Sequence, residues 1–175
     1  MKNVAIFGAG RIGRIHASNL AALPGVELRY VCDPVVVAAA DLAQQHNARV
    51  VEVDAVLADP SIDVVAIASS TDTHSDLITR AAAAGKHIFC EKPVDMSVPR
   101  ARACADAVQA AGVACMIGFQ RRFDPTFNEA RTRMDRGDIG NPEMLIITSR
   151  DPGAPPAAYI QASGGIFRDM LIHEY

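Results

Sequence analysis

Val4-Ala5-Ile6-Phe7-Gly8-Ala9-Gly10-Arg11-Ile12-Gly13 is an apolar run of strand length that passes straight into a glycine-rich turn, and the helical stretch Arg11 to Leu23 follows it. Each glycine at this spacing has its own task. Gly8 permits a tight turn, Gly10 lets the main chain approach a diphosphate, and Gly13 lets the new helix press against the strand. The free N–H groups that open the helix then face the phosphates. Three glycines so spaced also arise in ordinary turns, so the surroundings decide. A second strand, Val26 to Cys32, ends in Asp33, twenty residues after Gly13. A carboxylate there accepts both hydroxyls of an adenosine ribose and repels a 2′-phosphate, and the next residue is Pro34 instead of an arginine. The pattern predicts a dinucleotide site that favours NAD over NADP.

Outward from this unit, apolar runs of strand length alternate with alanine-rich helical stretches. The readings are helix Pro34 to Gln45, short strand Arg49 to Val51, helical turn Val53 to Ala58, and strand Ile62 to Ala68. Helix Thr73 to Ala84, strand His87 to Cys90, helix Ser97 to Ala111 and strand Val113 to Ile117 follow. Such alternation is the mark of a parallel sheet covered on both faces, an α/β doubly wound Rossmann sheet. Past Gly118 the rhythm changes. Phe123 to Arg136 reads as helix, Gly137 to Pro142 as a linker, Met144 to Ser149 as a strand of something new, and Asp151 to Pro156 as irregular. Gly164-Gly165 then opens a final helix running to Tyr175. The expected division is a dinucleotide-binding domain over residues 1–120 and the beginning of a second, α+β domain over 121–175.

The totals exclude several classes. A net charge of −3, with 17 basic and 20 acidic residues interspersed, supplies no field for a nucleic-acid backbone or an anionic membrane. No segment reaches the ~20 apolar residues of a membrane span, and the N-terminal apolar run is too short and too broken for a signal sequence. The four cysteines are widely spaced without a CxxC pair. They read as reduced, mostly buried thiols of a cytoplasmic protein instead of a zinc site or disulfide framework.

Three groups fall beyond strand ends, where such sheets hold ligands. After the fourth strand, Ser69-Ser70-Thr71-Asp72-Thr73-His74 offers hydroxyls to the cofactor and His74 to the nicotinamide side; a capped helix start with an exposed histidine uses the same residues. After the fifth strand stands Glu91-Lys92-Pro93. A cis Lys-Pro bond would aim the ammonium into the cleft, where it could hold a hydroxyl and lower the pKa of a nearby base; a solvated lysine before a turn proline is the plainer reading. Asp169 and His173 lie four apart on the last helix, hence on one face. That pair suits alcohol oxidation, with neutral imidazole accepting the hydroxyl proton; a surface i, i+4 pair has the same spacing. Metal ligation lacks a third ligand. In Gln120-Arg121-Arg122-Phe123-Asp124 one arginine could reach cofactor or substrate while the other pairs with an acid such as Asp124 on the surface. His16, His46 and His87 receive no role.

Taken together, Gly8 to Gly13, Glu91-Lys92-Pro93, Gly118 to Asp124 and Gly164 to Glu174 resemble the glucose-fructose oxidoreductase and inositol dehydrogenase family, and Ser149 to Gly165 resembles its inositol-oxidising members most. The likeness runs through all 175 residues. It implies NAD-dependent oxidation of a ring hydroxyl of myo-inositol, or of a related polyol or sugar, to the ketone. It implies Lys92, Asp169 and His173 as the catalytic set, with His173 the general acid/base, Lys92 binding the reacting hydroxyl and tuning that histidine, and Asp169 holding substrate and geometry. For the cofactor it implies Gly8, Gly10, Arg11, Ile12, Gly13 and Asp33, joined by Ser69, Ser70, His74, Glu91 and Arg122. Family members continue for about as many residues again, building an open antiparallel sheet that closes the substrate pocket and mediates homo-oligomerisation as dimer or tetramer. This chain is expected to carry only the first elements of that part, and a fragment or sensor module that binds NAD without turnover is the alternative reading.

Overall fold

Along β1 (Lys2–Phe7) the side chains alternate between two apolar environments, and this alternation places helices on both sides of the strand. Val4 and Ile6 join Leu28, Val31, Ala17, Ala39, Leu42 and Ala43 in one core. Ala5 and Phe7 turn the other way, into a core with Val65, Ile67, Ile88, Val56, Ile78, Ala81 and Cys104. A strand buried on both faces is what a parallel sheet between two helix layers requires.

The structure is a computed structural model that describes residues 1–150, 153–155, 157, 160 and 163–173. Strands β1, β2 (Val26–Cys32), β3 (Arg49–Val50), β4 (Val64–Ile67), β5 (His87–Cys90) and β6 (Cys115–Ile117) pair in parallel in the order β3-β2-β1-β4-β5-β6. Growth of the sheet reverses between β1 and β4. The loops leaving those two strands diverge, which opens a crevice at their carboxyl ends. Helices α1 (Arg11–Ala22) and α2 (Val36–Gln45) cover one face, and α3 (Val53–Ala58), α4 (Thr71–Ala83) and α5 (Val98–Ala111) cover the other.

Local chemistry sets the helix ends. Asp72 in the first turn of α4 and Arg80 in its last turn both complement the helix dipole. Gly112 closes α5 at φ 67°, a left-handed conformation suited to glycine.

The chain divides into two compact units, Met1–Gly118 and Phe119–Tyr175. The second contains a 3-10 turn (Gln120–Phe123), helix α6 (Pro125–Asp135), a one-turn helix α7 (Ile166–Asp169) and a 3-10 turn (Leu171–His173). Pro125 fixes the start of α6 and the Asp124 carboxylate caps it, accepting from the N–H groups of Thr126 and Phe127. Among the described residues no arginine pairs with Asp124, whose carboxylate serves the helix backbone instead.

Two other expectations are corrected. Met144 to Ser149 is no strand: among the described residues it has no ladder partner, and Met144 and Ile146 are each 80% exposed. A β-prone run becomes a strand only when another strand takes up its N–H and C=O groups. The open antiparallel sheet of the second domain is accordingly not seen among the described residues. The final helix also ends early, at Asp169, and the backbone tightens into the 3-10 turn. A single turn whose Ile166 and Phe167 are exposed has no buried face to offset the cost of helix nucleation. Glu174, Tyr175, Asp151, Pro152 and Pro156 lie outside the described residues.

Candidate functional site

Gly8 leaves β1 at φ 106°, and a Cβ there would stand 2.5 Å from the Ala68 carbonyl oxygen at the end of β4. A Cβ on Gly13 would collide with the carbonyl of Gly8 itself. Both positions are therefore closed to any side chain. A Cβ on Gly10 would meet no atom within 4 Å, so this glycine faces open space. Gly10 supplies no side-chain cap to α1, and the amides of Arg11, Ile12 and Gly13 begin the helix without a side-chain acceptor at that position. A bare backbone turn with open space before it, feeding an uncapped helix, fits the diphosphate of a dinucleotide.

Asp33 occupies the end of β2 as expected, and it also does something the sequence reading did not include. Oδ2 accepts from the buried Ala9 N–H at 2.7 Å, and Oδ1 accepts from the Val35 N–H at 2.7 Å. The carboxylate thus ties the glycine turn to the entry of α2. Each oxygen keeps a lone pair for a ribose hydroxyl. A cavity of about 280 Å³ adjoins it, lined among others by Gly8, Cys32, Asp33, Pro34, Ser69 and Thr73.

In the loop after β4, Thr73 donates its hydroxyl proton to the Ser70 carbonyl. Ser69 is then the donor in its 2.6 Å contact with the Thr73 hydroxyl. Ser70 stands exposed at the N-cap of α4 without capping it through its side chain. His74 differs from both of its expected settings. Its ring is 1% exposed, Nδ1 donates to the Pro93 carbonyl at 2.8 Å, and Nε2 lies 3.2 Å from the Ser69 carbonyl. It faces neither solvent nor an open cleft; it clamps the loop after β4 to the loop after β5.

The loop after β5 carries Glu91 and Lys92, and the Lys92–Pro93 bond is cis. The Glu91 carboxylate meets His16 Nε2 at 2.7 Å and accepts the Lys92 N–H at 3.3 Å. Burial pushes the Glu91 carboxyl up, but the His16 bond and charge, together with the Lys92 N–H and charge, hold it below its ordinary value. The same carboxylate occupies the space that a Cβ on Gly118 would need. His16, given no role from the sequence, therefore joins α1 to the loop that carries Lys92, and its ring packs edge-on against Phe89. Beyond Pro93, Asp95 accepts from Ser75 and Arg100; burial pushes its carboxyl up, and these bonds bring it down to about 2.

The remaining candidates belong to the second unit. Arg122 lies over the Phe119 ring, and Arg121 bonds the Ser149 hydroxyl and lies over Phe127. The Gln120 amide nitrogen is 3.3 Å from His173 Nε2, and the Phe119 ring stands edge-on to the imidazole. Asp169 ends α7 and His173 ends the following 3-10 turn. The pair does not share one face of a continuous α-helix, contrary to expectation.

A family model described as an oxidoreductase family with a NAD-binding Rossmann fold matches residues 2–119. The inositol 2-dehydrogenase of Rhizobium meliloti is 49% identical over 170 residues, which are 97% of this chain and 52% of that protein. The crystal structure of a myo-inositol dehydrogenase from Corynebacterium glutamicum is 46% identical, with a TM-score of 0.92 over 99% of this chain and 53% of that one. The scyllo-inositol dehydrogenase of Lactobacillus casei, solved with NAD(H) and scyllo-inositol, is 30% identical, with a TM-score of 0.84 over 99% and 54%. The chain spans about half the length of each of these relatives.

Proposed function

The chain belongs to the oxidoreductase family with a NAD-binding Rossmann fold, and from that membership we propose that the whole protein oxidises a ring hydroxyl of myo-inositol, or of a related polyol or sugar, to the ketone, as an inositol 2-dehydrogenase. The observation that carries this reading is the glycine turn whose Ala9 N–H is fixed by the Asp33 carboxylate. Residues 1–120 hold the cofactor: Gly8, Gly10, Arg11, Ile12 and Gly13 at the diphosphate, Asp33 at the adenosine ribose. Ser69, Ser70, Glu91 and Arg122 complete the contacts, and His74 supports them from beneath the loop. Residues 121–175 begin a substrate domain that also builds a homo-oligomer.

When bound, NAD supplies the acceptor for the hydride that leaves the carbinol carbon. His173 takes the hydroxyl proton as the C–O bond becomes a carbonyl. The Gln120 amide donates to Nε2 in the free protein and gives up that lone pair to the incoming hydroxyl. Lys92 binds the reacting oxygen and, as a cation, favours the neutral imidazole. Asp169 orients the polyol. Four free thiols fit a reducing, cytoplasmic setting.

Calorimetric titration of this chain with NAD tests the cofactor assignment, and absence of heat at any concentration overturns it. Steady-state NADH formation by the polypeptide extended to its relatives' length, with myo-inositol, scyllo-inositol and hexoses in turn, tests the reaction. NAD binding without turnover on any of them would replace the dehydrogenase with an NAD-binding module.

A further inference from the structure

The cavity beside the glycine turn contains a second acid that the cofactor assignments leave unused. Glu52 follows β3, lines the cavity with Cys32, Asp33, Pro34, Val53 and Leu77, and occupies the N-cap position of α3 without capping it. Among the described residues no hydrogen bond or ion pair engages its carboxylate. Its charge is nevertheless felt at Cys32, whose thiol is pushed up to about 12 by burial first and by Glu52 second. Glu52 is an exposed residue, so it stands at the mouth of the cavity.

A carboxylate only accepts hydrogen bonds, so two of them beside one cavity call for an occupant with two sets of N–H or O–H donors. At about 280 Å³ the space sits at the low end of small-molecule clefts, which run from ~300 to ~1,000 Å³, and suits one flat base instead of a whole dinucleotide. Pro34, Val53 and Leu77 provide apolar walls. The adenosine end of NAD offers a ribose diol and an exocyclic amino group. With the diol on Asp33, the donor left for a second acid is the amino group of the base.

We propose that Glu52 accepts a hydrogen bond from the 6-amino group of adenine and selects adenine over 6-oxopurines. This inference rests on the cofactor assignment above and adds the base specificity of the same site. Asp33, held by the Ala9 and Val35 N–H groups, fixes the ribose, so the base cannot slide to present another edge. A 6-oxo group would place its lone pairs against the carboxylate, so neither acceptor would gain a hydrogen bond from the other.

Calorimetric titrations of the 175-residue chain with NAD and with nicotinamide hypoxanthine dinucleotide read this preference directly. NAD is expected to bind about tenfold more tightly, the factor that one hydrogen bond to a charged acceptor supplies. In Glu52→Gln, whose amide can donate to a 6-oxo group or accept from a 6-amino group, the ratio falls to within about threefold. Asp33→Ala weakens both dinucleotides alike and leaves the ratio standing. Thermal unfolding of each free variant verifies that the fold survives. Equal wild-type affinities overturn the proposal, as does a ratio unchanged in Glu52→Gln, while NAD binding itself stands in either case. Failure of both dinucleotides to bind removes the cofactor assignment and this inference with it.

Discussion

Replacing Asp33 by alanine should weaken the protein before any cofactor is added. The carboxylate accepts two backbone N–H groups at 2.7 Å, and their surroundings differ. Ala9 is 1% exposed, so without Asp33 its N–H is left buried and unpaired, a loss of about 2 kcal/mol. Val35 is exposed and water can replace the carboxylate there, so its loss is roughly 0.5–1 kcal/mol. The sum, about 2.5–3 kcal/mol, is a large part of the ~5–15 kcal/mol that holds a domain together. Urea unfolding of the free protein at pH 7 should show Asp33→Ala with a lower midpoint and an unchanged slope. Asp33→Asn keeps one carbonyl oxygen for the Ala9 N–H and should lose only about 1 kcal/mol. NAD affinity should fall in both variants. If Asp33→Ala unfolds at the wild-type midpoint, the carboxylate is not bracing the turn and only its ligand role remains.

Three further outcomes are expected. Gly13→Ala should fail to fold stably, because its Cβ meets the Gly8 carbonyl, whereas Gly10→Ala should unfold within about 0.5 kcal/mol of wild type yet bind NAD more weakly; urea unfolding paired with calorimetry separates the two. His16→Ala should cost about 1–3 kcal/mol at pH 7 by leaving the Glu91 carboxylate half-buried without its partner. Glu91 has a depressed folded-state pKa, so its contribution is present above the unfolded value and is lost as pH falls through the folded one. The gap between wild type and His16→Ala should therefore close in acid, below the ordinary glutamate range, as Glu91 is protonated; a gap that acid never closes contradicts the pairing. In the full-length protein His173→Ala should bind NAD as wild type does and lose at least about 100-fold in turnover, the low end of general-base contributions; an unchanged rate removes His173 as the proton acceptor.

What could be read from the chain beforehand is what depends on neighbours in sequence. The glycine spacing, the twenty-residue interval to Asp33 and the continuous apolar run Val4 to Phe7 are local, and the structure has the turn, the strand-end acid and the buried strand there. Some signals were present but not used. Asp33 bonding the N–H two residues on is an ordinary Asx turn, and His74 shares the buried face of α4 with Ile78 and Ala81 by helical spacing. The partner of His16 was not legible, because Glu91 lies 75 residues away. Met144 to Ser149 shows the converse: its composition is that of a strand, and composition cannot supply the strand beside it.

These long-range bonds have one effect in common, which explains why so short a sheet can present a defined cleft. Asp33 ties the turn after β1 to the loop after β2, His74 ties the loop after β4 to that after β5, and Glu91 ties the latter to α1 through His16. The loops at the carboxyl ends of four strands are thereby joined pairwise within the first unit. Loops are normally the mobile part of a fold, and ordering them at the moment of binding would subtract from affinity. Here the ordering is achieved during folding, before any ligand arrives. It follows that His74→Ala, whose lost ring is buried beneath the loops, should weaken NAD binding by loosening the Ser69 and Lys92 loops together. Hydrogen exchange of the free variant should show faster exchange at both loops; acceleration at only one of them would mean that the ring is not the clamp.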